Sequence, residues 1–360
     1  MIEAFNRYQR QLRLGLITVV VVIVVYLLVT LPPNLLQSSI RLATPYVLGS
    51  LAALIASRAG VLNLAIDGKM LLGAFVGVAV LYQRNLDPIF GVIAATLAGG
   101  VLGAIFAVLY LRIKINLIIL ALAVNLFIGS ATVFFLRVSF GQFGTLADPS
   151  IQGLPTIEIP VLENIPVLGP ILSGFNIIVY LSWLLVFLVW LLLFRTRFGR
   201  HIRAVGENRE AAQTAGINVT RVQIFALTMS GMLAGMAGSF LSLGILSQFL
   251  ENMTDGRGWI AITVSLFAFE RPVPAFFTSL FFGFSEAASF YLQGRPDNTM
   301  PSELLLALPQ IATIAALVLV ALRIRGGELL KRRNFVAQFG QEIADLKRVV
   351  VGAPANKAKE

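Results

Sequence analysis

The chain contains no cysteine and a single histidine, and charged residues fill only 13% of its 360 positions. Without thiols there is no disulfide, no thiol nucleophile and no zinc–thiolate site. One histidine and few clustered acids leave neither a convincing metal-ligating set nor a catalytic triad. A soluble domain carries roughly 25% charged residues, so an ordinary soluble protein and a disordered one are both excluded. Acids are scarcer than bases, 18 against 28, for a net charge of +10. In a chain that is 57% hydrophobic, this excess reads as basic residues holding loops on the cytoplasmic side of a bilayer, not as a nucleic-acid surface.

What the chain has in abundance is long apolar runs. A spanning helix needs about 20 such residues. Ten candidates follow: 14–31, 38–57, 61–82, 90–111, 116–136, 174–194, 221–245, 259–269, 273–292 and 302–322. The eighth is too short to cross as a straight helix. It reads as half of a broken or re-entrant element, paired with the ninth across Arg271-Pro272-Val273-Pro274. The expected fold is an all-α polytopic membrane bundle of about ten spans, with a range of roughly eight to ten. Residues 1–13 form a cytoplasmic N-terminus, 14–325 the membrane domain, and 326–360 a cytoplasmic tail. With the N-terminus inside, only Arg41, Arg84, Arg137, Arg257 and Arg295 fall outside and Lys69 lies within a span. Every other basic residue is then on the inner side, a strong positive-inside pattern. The first run starts basic but ends at Leu31-Pro32-Pro33 with no small-residue cleavage pattern, so a retained helix is expected rather than a signal peptide.

Three segments stand outside the spans. Residues 137–173 contain Pro149, Pro155, Pro160, Pro166 and Pro170, a spacing that forbids a long helix; they form either a structured external cap or a docking face. The inner loop, 195–220, has a short stretch of helix formers after Gly206 closed by Gly216 at a C-cap position. A short cytoplasmic helix between two spans is a natural lever. In the tail, Phe335, Val336, Phe339, Ile343, Leu346 and Val350 recur at steps of three and four beside basic residues. They mark an amphipathic helix, either on the inner membrane surface or packed on the protein. Residues 352–360 are read as disordered.

Ionisable groups inside a bilayer are costly and point by default to a pathway. Asp67 and Lys69 sit at the start of the third run on either side of Gly68. Residues i and i+2 diverge on a helix, and a local break there would free backbone groups to line a cavity. The two side chains serve a path or gate, or pair with other helices. Glu286 is the other intramembrane acid, and Asn125 a lone amide among aliphatics suited to an interhelix hydrogen bond. Gly99-x-x-x-Gly103 and Gly231-x-x-x-Gly235, followed by Gly238, read as surfaces for close internal helix packing. Gly68-Lys69-Met70 is no phosphate loop, because Asn63 stands where that motif needs its first glycine and Met70 where it needs Ser or Thr.

Three stretches together resemble the permease subunits of ABC importers of the branched-chain amino acid, ribose and nucleoside superfamily, most closely its nucleoside and simple-sugar branch. Asn63, Leu64, Ala65, Asp67, Gly68, Lys69 and Met70 stand where that branch typically reads N-I-G-x-E-G-Q-M, with Asp for Glu and Lys for Gln. Arg203-Ala204-Val205-Gly206-Glu207-Asn208, then Glu210-Ala211-Ala212 to Gly216-Ile217, resembles the cytoplasmic coupling segment and its E-A-A-x-x-x-G pattern. Pro301 to Pro309 with Gln310-Ile311-Ala312-Thr313 resembles the opening of the last span, and Asn125 matches an Asn of the fifth. The similarity covers residues 40–325. It implies a non-enzymatic, multi-pass subunit of the prokaryotic cytoplasmic membrane, paired with itself or a sister permease. Two cytoplasmic ATPase subunits would carry the ATP and magnesium, leaving no cofactor on this chain, and an external solute-binding protein would deliver the solute. Arg203, Gly206, Glu207, Asn208, Glu210, Ala211, Ala212 and Gly216 would couple to the ATPase. Asn63, Asp67, Lys69, Asn125 and Glu286 would line the path or gate. The expected solutes are nucleosides or simple sugars, with branched-chain amino acids or ribose as alternatives. An ion-coupled secondary transporter using Asp67, Lys69 and Glu286 as a relay is the rival of a different class.

Overall fold

A computed structural model of the chain describes residues 32–158 and 169–294, with isolated positions between 301 and 318. The first expected span, most of the last, and both cytoplasmic termini lie outside the described residues. Among those described, long helices dominate, and six are long and apolar enough to cross a membrane. They are α1 (Pro33–Arg58), α3 (Pro88–Leu111), α4 (Leu117–Phe140), α6 (Ile177–Arg195), α9 (Val219–Ser239, continued by a π-helical stretch Phe240–Leu246) and α11 (Pro272–Gln293).

Two further elements fall short of a crossing. α2 (Ile66–Leu81) and α10 (Arg257–Phe267) have 16 and 11 residues, about 24 and 16 Å of helix against a hydrocarbon core of about 30 Å. The break expected at Gly68 lies just before it. Residues 61–65 are non-helical, and Gly68 is inside α2. The connection is a consequence of how α1 ends. Gly60 adopts φ 76°, and the Val61 amide donates back to the Ala56 carbonyl, a left-handed helix stop that turns the chain away. The eighth run is the expected half-length element, α10, joined to α11 by a tight turn.

The bundle is organised around α1, buried almost continuously from Ala43 to Ala56. An all-round buried helix must be apolar on every side. α9 packs against α1, α2 and α3; α10 and α11 pack on α1; α4 packs on α2. The contacts of α9 with α3 and α2 are made through glycines: a Cβ on Gly99 of α3 would overlap the Gly231 carbonyl, one on Gly235 the Ala95 carbonyl of α3, and one on Gly73 of α2 the Gly235 carbonyl. The small-residue motifs are therefore internal seams, as their spacing predicted. Gly235→Leu is expected to cost roughly 3 kcal/mol, since the neighbours are backbone atoms that cannot yield. Gly129, with no atom within 4 Å of an added Cβ, is the control: Gly129→Ala leaves the unfolding temperature in detergent unlowered.

At the end where α4 finishes, residues 141–158 and 169–176 form a structured cap. β1 (Thr145–Leu146) pairs with β4 (Phe249–Leu250), and β2 (Thr156–Ile157) with β3 (Phe175–Asn176), both antiparallel. α5 (Gly169–Leu172) precedes β3. The π stretch leaves carbonyls free, and the cap takes two of them: the Leu154 amide donates to Leu243 and the Asn176 side chain to Gly244.

Candidate functional site

At the other end, α6 turns sharply into two short helices, α7 (Arg197–Glu207) and α8 (Arg209–Thr214). The sequence predicts a single helix beginning after Gly206; Gly206 instead lies within α7. Asn208 is the joint between them. Its amide donates to the Ala204 carbonyl to close α7, and its side chain accepts from the Ala211 amide to open α8. Gly216, at φ 81°, terminates α8 where expected. Gly206, Glu207, Asn208, Glu210, Ala211 and Gly216 are exposed. Ala212 and Arg203 turn inward: Ala212 is buried, and the Arg203 guanidinium lies 5.1 Å from the Phe194 ring centroid. They fasten the pair of helices to the bundle.

Gly206 joins this outer element to the interior. A Cβ there would overlap the Arg58 carbonyl, and one on Gly60 would come 3.3 Å from the Gly206 Cα. Backbone thus meets backbone where α1 ends and the non-helical segment begins. Arg58 also grips the α10–α11 turn, donating to the Glu270 and Phe269 carbonyls at 2.8 and 2.9 Å and pairing with the Glu270 carboxylate at 3.5 Å. Gln223 of α9 donates to the Ala59 carbonyl.

From Gly60 the chain climbs to a junction of polar groups. Asn125 of α4 accepts from the Gly68 amide at 2.9 Å and donates to the Leu64 carbonyl at 3.0 Å. One amide side chain therefore satisfies a donor and an acceptor that the break set free. Asn63 donates to Ser230 and accepts from the Ala65 amide and the Lys69 ammonium, the last at 3.1 Å. Lys69 is 0% exposed and lies 4.3 Å from the centroid of the Phe106 ring, a cation–π contact inside the bundle. Asp67 points elsewhere, as i, i+2 geometry requires. It accepts from the Gly258 amide at 2.9 Å and the Thr254 hydroxyl at 3.2 Å, capping α10 from another helix. The N-termini of two half-length helices thus meet at one carboxylate, which their dipoles favour.

Glu286 is not part of that cluster. It is 5% exposed, accepts a 2.7 Å hydrogen bond from Tyr46 and forms an ion pair with Arg257. Arg257, expected in an outer loop, is instead the first residue of α10 and partly buried. Tyr46, Arg257, Arg58, Ser230 and Phe106 were not singled out from sequence. Only Arg257 carried a signal: it opens an apolar segment too short to cross, so its N-terminus had to sit at depth. None of the described cavities, at Trp183–Phe276, Tyr110–Arg209 and Asn34–Tyr291, is lined by Asn63, Asp67, Lys69, Asn125 or Glu286. Among the described residues no three His, Cys, Asp or Glu side chains group to hold a metal. Asp67→Ala is expected to lower stability by about 1–2 kcal/mol, the worth of a helix cap, and Asp67→Asn by less, since it keeps one acceptor. Thermal unfolding in detergent reads the difference.

The chain matches the family model described as branched-chain amino acid transport system / permease component over residues 35–322. It is 32% identical to the guanosine ABC transporter permease protein NupQ of Bacillus subtilis, covering 76% of this chain and 88% of the relative. It is 31% identical to the nucleoside ABC transporter permease protein NupC of Lactococcus lactis, over 77% and 89%. It is 30% identical to the putative glucose ABC transporter permease protein TsgC13 of Haloferax volcanii, over 86% and 98%. No solved structure gives a significant match. Proteins of this kind are transport components rather than catalysts and work with ATPase and substrate-binding components. The chain is a multi-pass membrane protein and belongs to the permease family of the branched-chain amino acid type of ABC transport system.

Proposed function

We propose that this permease imports nucleosides or simple sugars by alternating access, driven by ATP and magnesium bound on two cytoplasmic ATPase subunits. It pairs with an identical or sister permease and receives solute from an external binding protein. About ten spans, counting 14–31 and 302–322, place both termini in the cytoplasm. The observation that carries the mechanism is the backbone contact of Gly206 with Arg58 and Gly60. It links the exposed α7–α8 pair to both interrupted elements, α2 through residues 61–65 and α10 through the Arg58 grip. A push on α8 is therefore felt at the Asp67 junction. Asn63, Asp67, Lys69 and Asn125 hold that junction closed in this conformation and would exchange partners as the path opens. Glu286 would act with Arg257 as the hinge support of α10. The nucleoside and glucose names of three relatives support the solute class.

The test is a mild-detergent pull-down from native membrane with mass spectrometry, followed by a ligand screen of any binding protein that co-purifies. Recovery of an ATPase subunit is expected. Recovery of the chain alone, with uptake abolished by a protonophore, would return the weight to an ion-coupled carrier.

A further inference from the structure

The end of the bundle that carries α7 and α8 also holds a small cavity outside the junction and the lever contact. Its volume is about 210 Å³, and it is lined by Tyr110, Leu111, Lys114, Ile115 and Arg209. That is below the roughly 300–1,000 Å³ of a site enclosing a whole small molecule. Its chemistry is cationic. Lys114 and Arg209 are exposed, and among the described residues neither they nor the Tyr110 hydroxyl have a hydrogen-bond or ion-pair partner. Lys114 reaches it from the α3–α4 turn, where its backbone takes φ 60°.

Beside the cavity rises an apolar wall. Ile118, Ile119 and Leu122, in the first two turns of α4 directly after the lining residue Ile115, are all exposed. Residues of this kind face acyl chains in a bilayer. The cavity therefore sits where the chains stop and a headgroup begins.

We infer that the Tyr110–Lys114–Arg209 cavity binds the phosphate headgroup of an anionic phospholipid, with its acyl chains lying along the exposed start of α4. Basic pockets at the cytoplasmic ends of membrane helices recognise such headgroups. The lipid would bridge the α3–α4 turn to α8, so the lever is steadied by the membrane's own charge. Assignment to the inner leaflet rests on the orientation proposed above; the headgroup chemistry does not.

The full assembly in neutral detergent is exposed to phosphatidylglycerol or phosphatidylcholine, and retained lipid is counted by native mass spectrometry. Phosphatidylglycerol is expected to be retained roughly tenfold over phosphatidylcholine. The double variant Lys114→Gln/Arg209→Gln should lose most of that preference, whereas Arg84→Gln/Arg137→Gln keeps it. Both pairs are exposed, and unchanged unfolding temperatures exclude misfolding. Equal retention of the two lipids, or undiminished preference in the Lys114/Arg209 variant, overturns the assignment. Displacement by millimolar inorganic phosphate also overturns it, by making the site one for a free anion.

Discussion

Glu286→Ala is expected to destabilise the bundle by about 3–5 kcal/mol, the cost of removing one partner from a buried ion pair. Two groups lose their acceptor together: the partly buried Arg257 guanidinium and the Tyr46 hydroxyl, whose residue is 1% exposed. The position makes the loss worse. Arg257 is the first residue of α10, where a cation opposes the helix dipole, so the Glu286 carboxylate compensates for both. Arg257→Met/Glu286→Leu should recover most of the loss, because apolar residues of similar size replace a buried pair at little net cost. Unfolding temperatures in detergent decide it. At about 2.1 cal/mol/K of unfolding entropy per residue, a chain of 360 residues loses roughly 1.3 °C per kcal/mol, so the single variant should fall by roughly 5 °C. Equal instability of the single and double variants would reject this account. A carrier using Glu286 as an ion relay predicts another pattern: Glu286→Gln would abolish transport with the unfolding temperature intact.

Glu286 also shows what could and could not be read from the residues in order. Its cost in a bilayer marked it as meaningful, but not as the partner of Arg257 and Tyr46, the latter 240 positions away. Arg257 was read as an outer-loop charge because charge counting assumes that polar residues lie beyond the spans. A helix that starts at depth breaks that assumption. The same holds at Asp67. Its divergence from Lys69 was legible from helix geometry, while its use as a cap for α10 required knowing that two interrupted helices meet. The spans themselves were legible to within a few residues for α1, α3, α4, α6, α9 and α11, since length and hydropathy settle them. Which face of each is buried was not, because polarity does not alternate in a helix that is apolar all round. Size carries that signal. The faces of α3 and α9 that meet are marked by Gly99, Gly103, Gly231 and Gly235, while Ile93, Leu97 and Val101 point away from the bundle. The short helix ending at Gly216 was legible because its caps are local, Asn208 and Gly216 acting within four residues, whereas the helix that contains Gly206 was not. Its contact with Gly60 was not, lying nearly 150 positions away in the chain.

That contact sets the second large effect. If α8 is the proposed ATPase docking face, Glu210→Lys is expected to lower ATP-driven uptake roughly tenfold or more, because reversing one charge there costs several kcal/mol against a complementary partner. The bundle should tolerate it. The Glu210 carboxylate is exposed and makes no bond among the described residues; only its backbone carbonyl is used, by Thr214. The intrinsic loss is limited to the first-turn acid of a short helix, about 0.3–1 kcal/mol. Membrane yield and unfolding temperature should therefore stay near those of the parent while the ATPase is lost from pull-downs. Gly206→Val separates docking from transmission. Its side chain would press on the Arg58 carbonyl, so the ATPase should remain bound while uptake falls, since the push no longer reaches residues 61–65 in register. Normal uptake in Glu210→Lys would end the proposal that α8 receives the stroke. Normal uptake in Gly206→Val would leave α8 as the receiver but move the route of transmission away from α1, to the contact of α7 and α8 with α9.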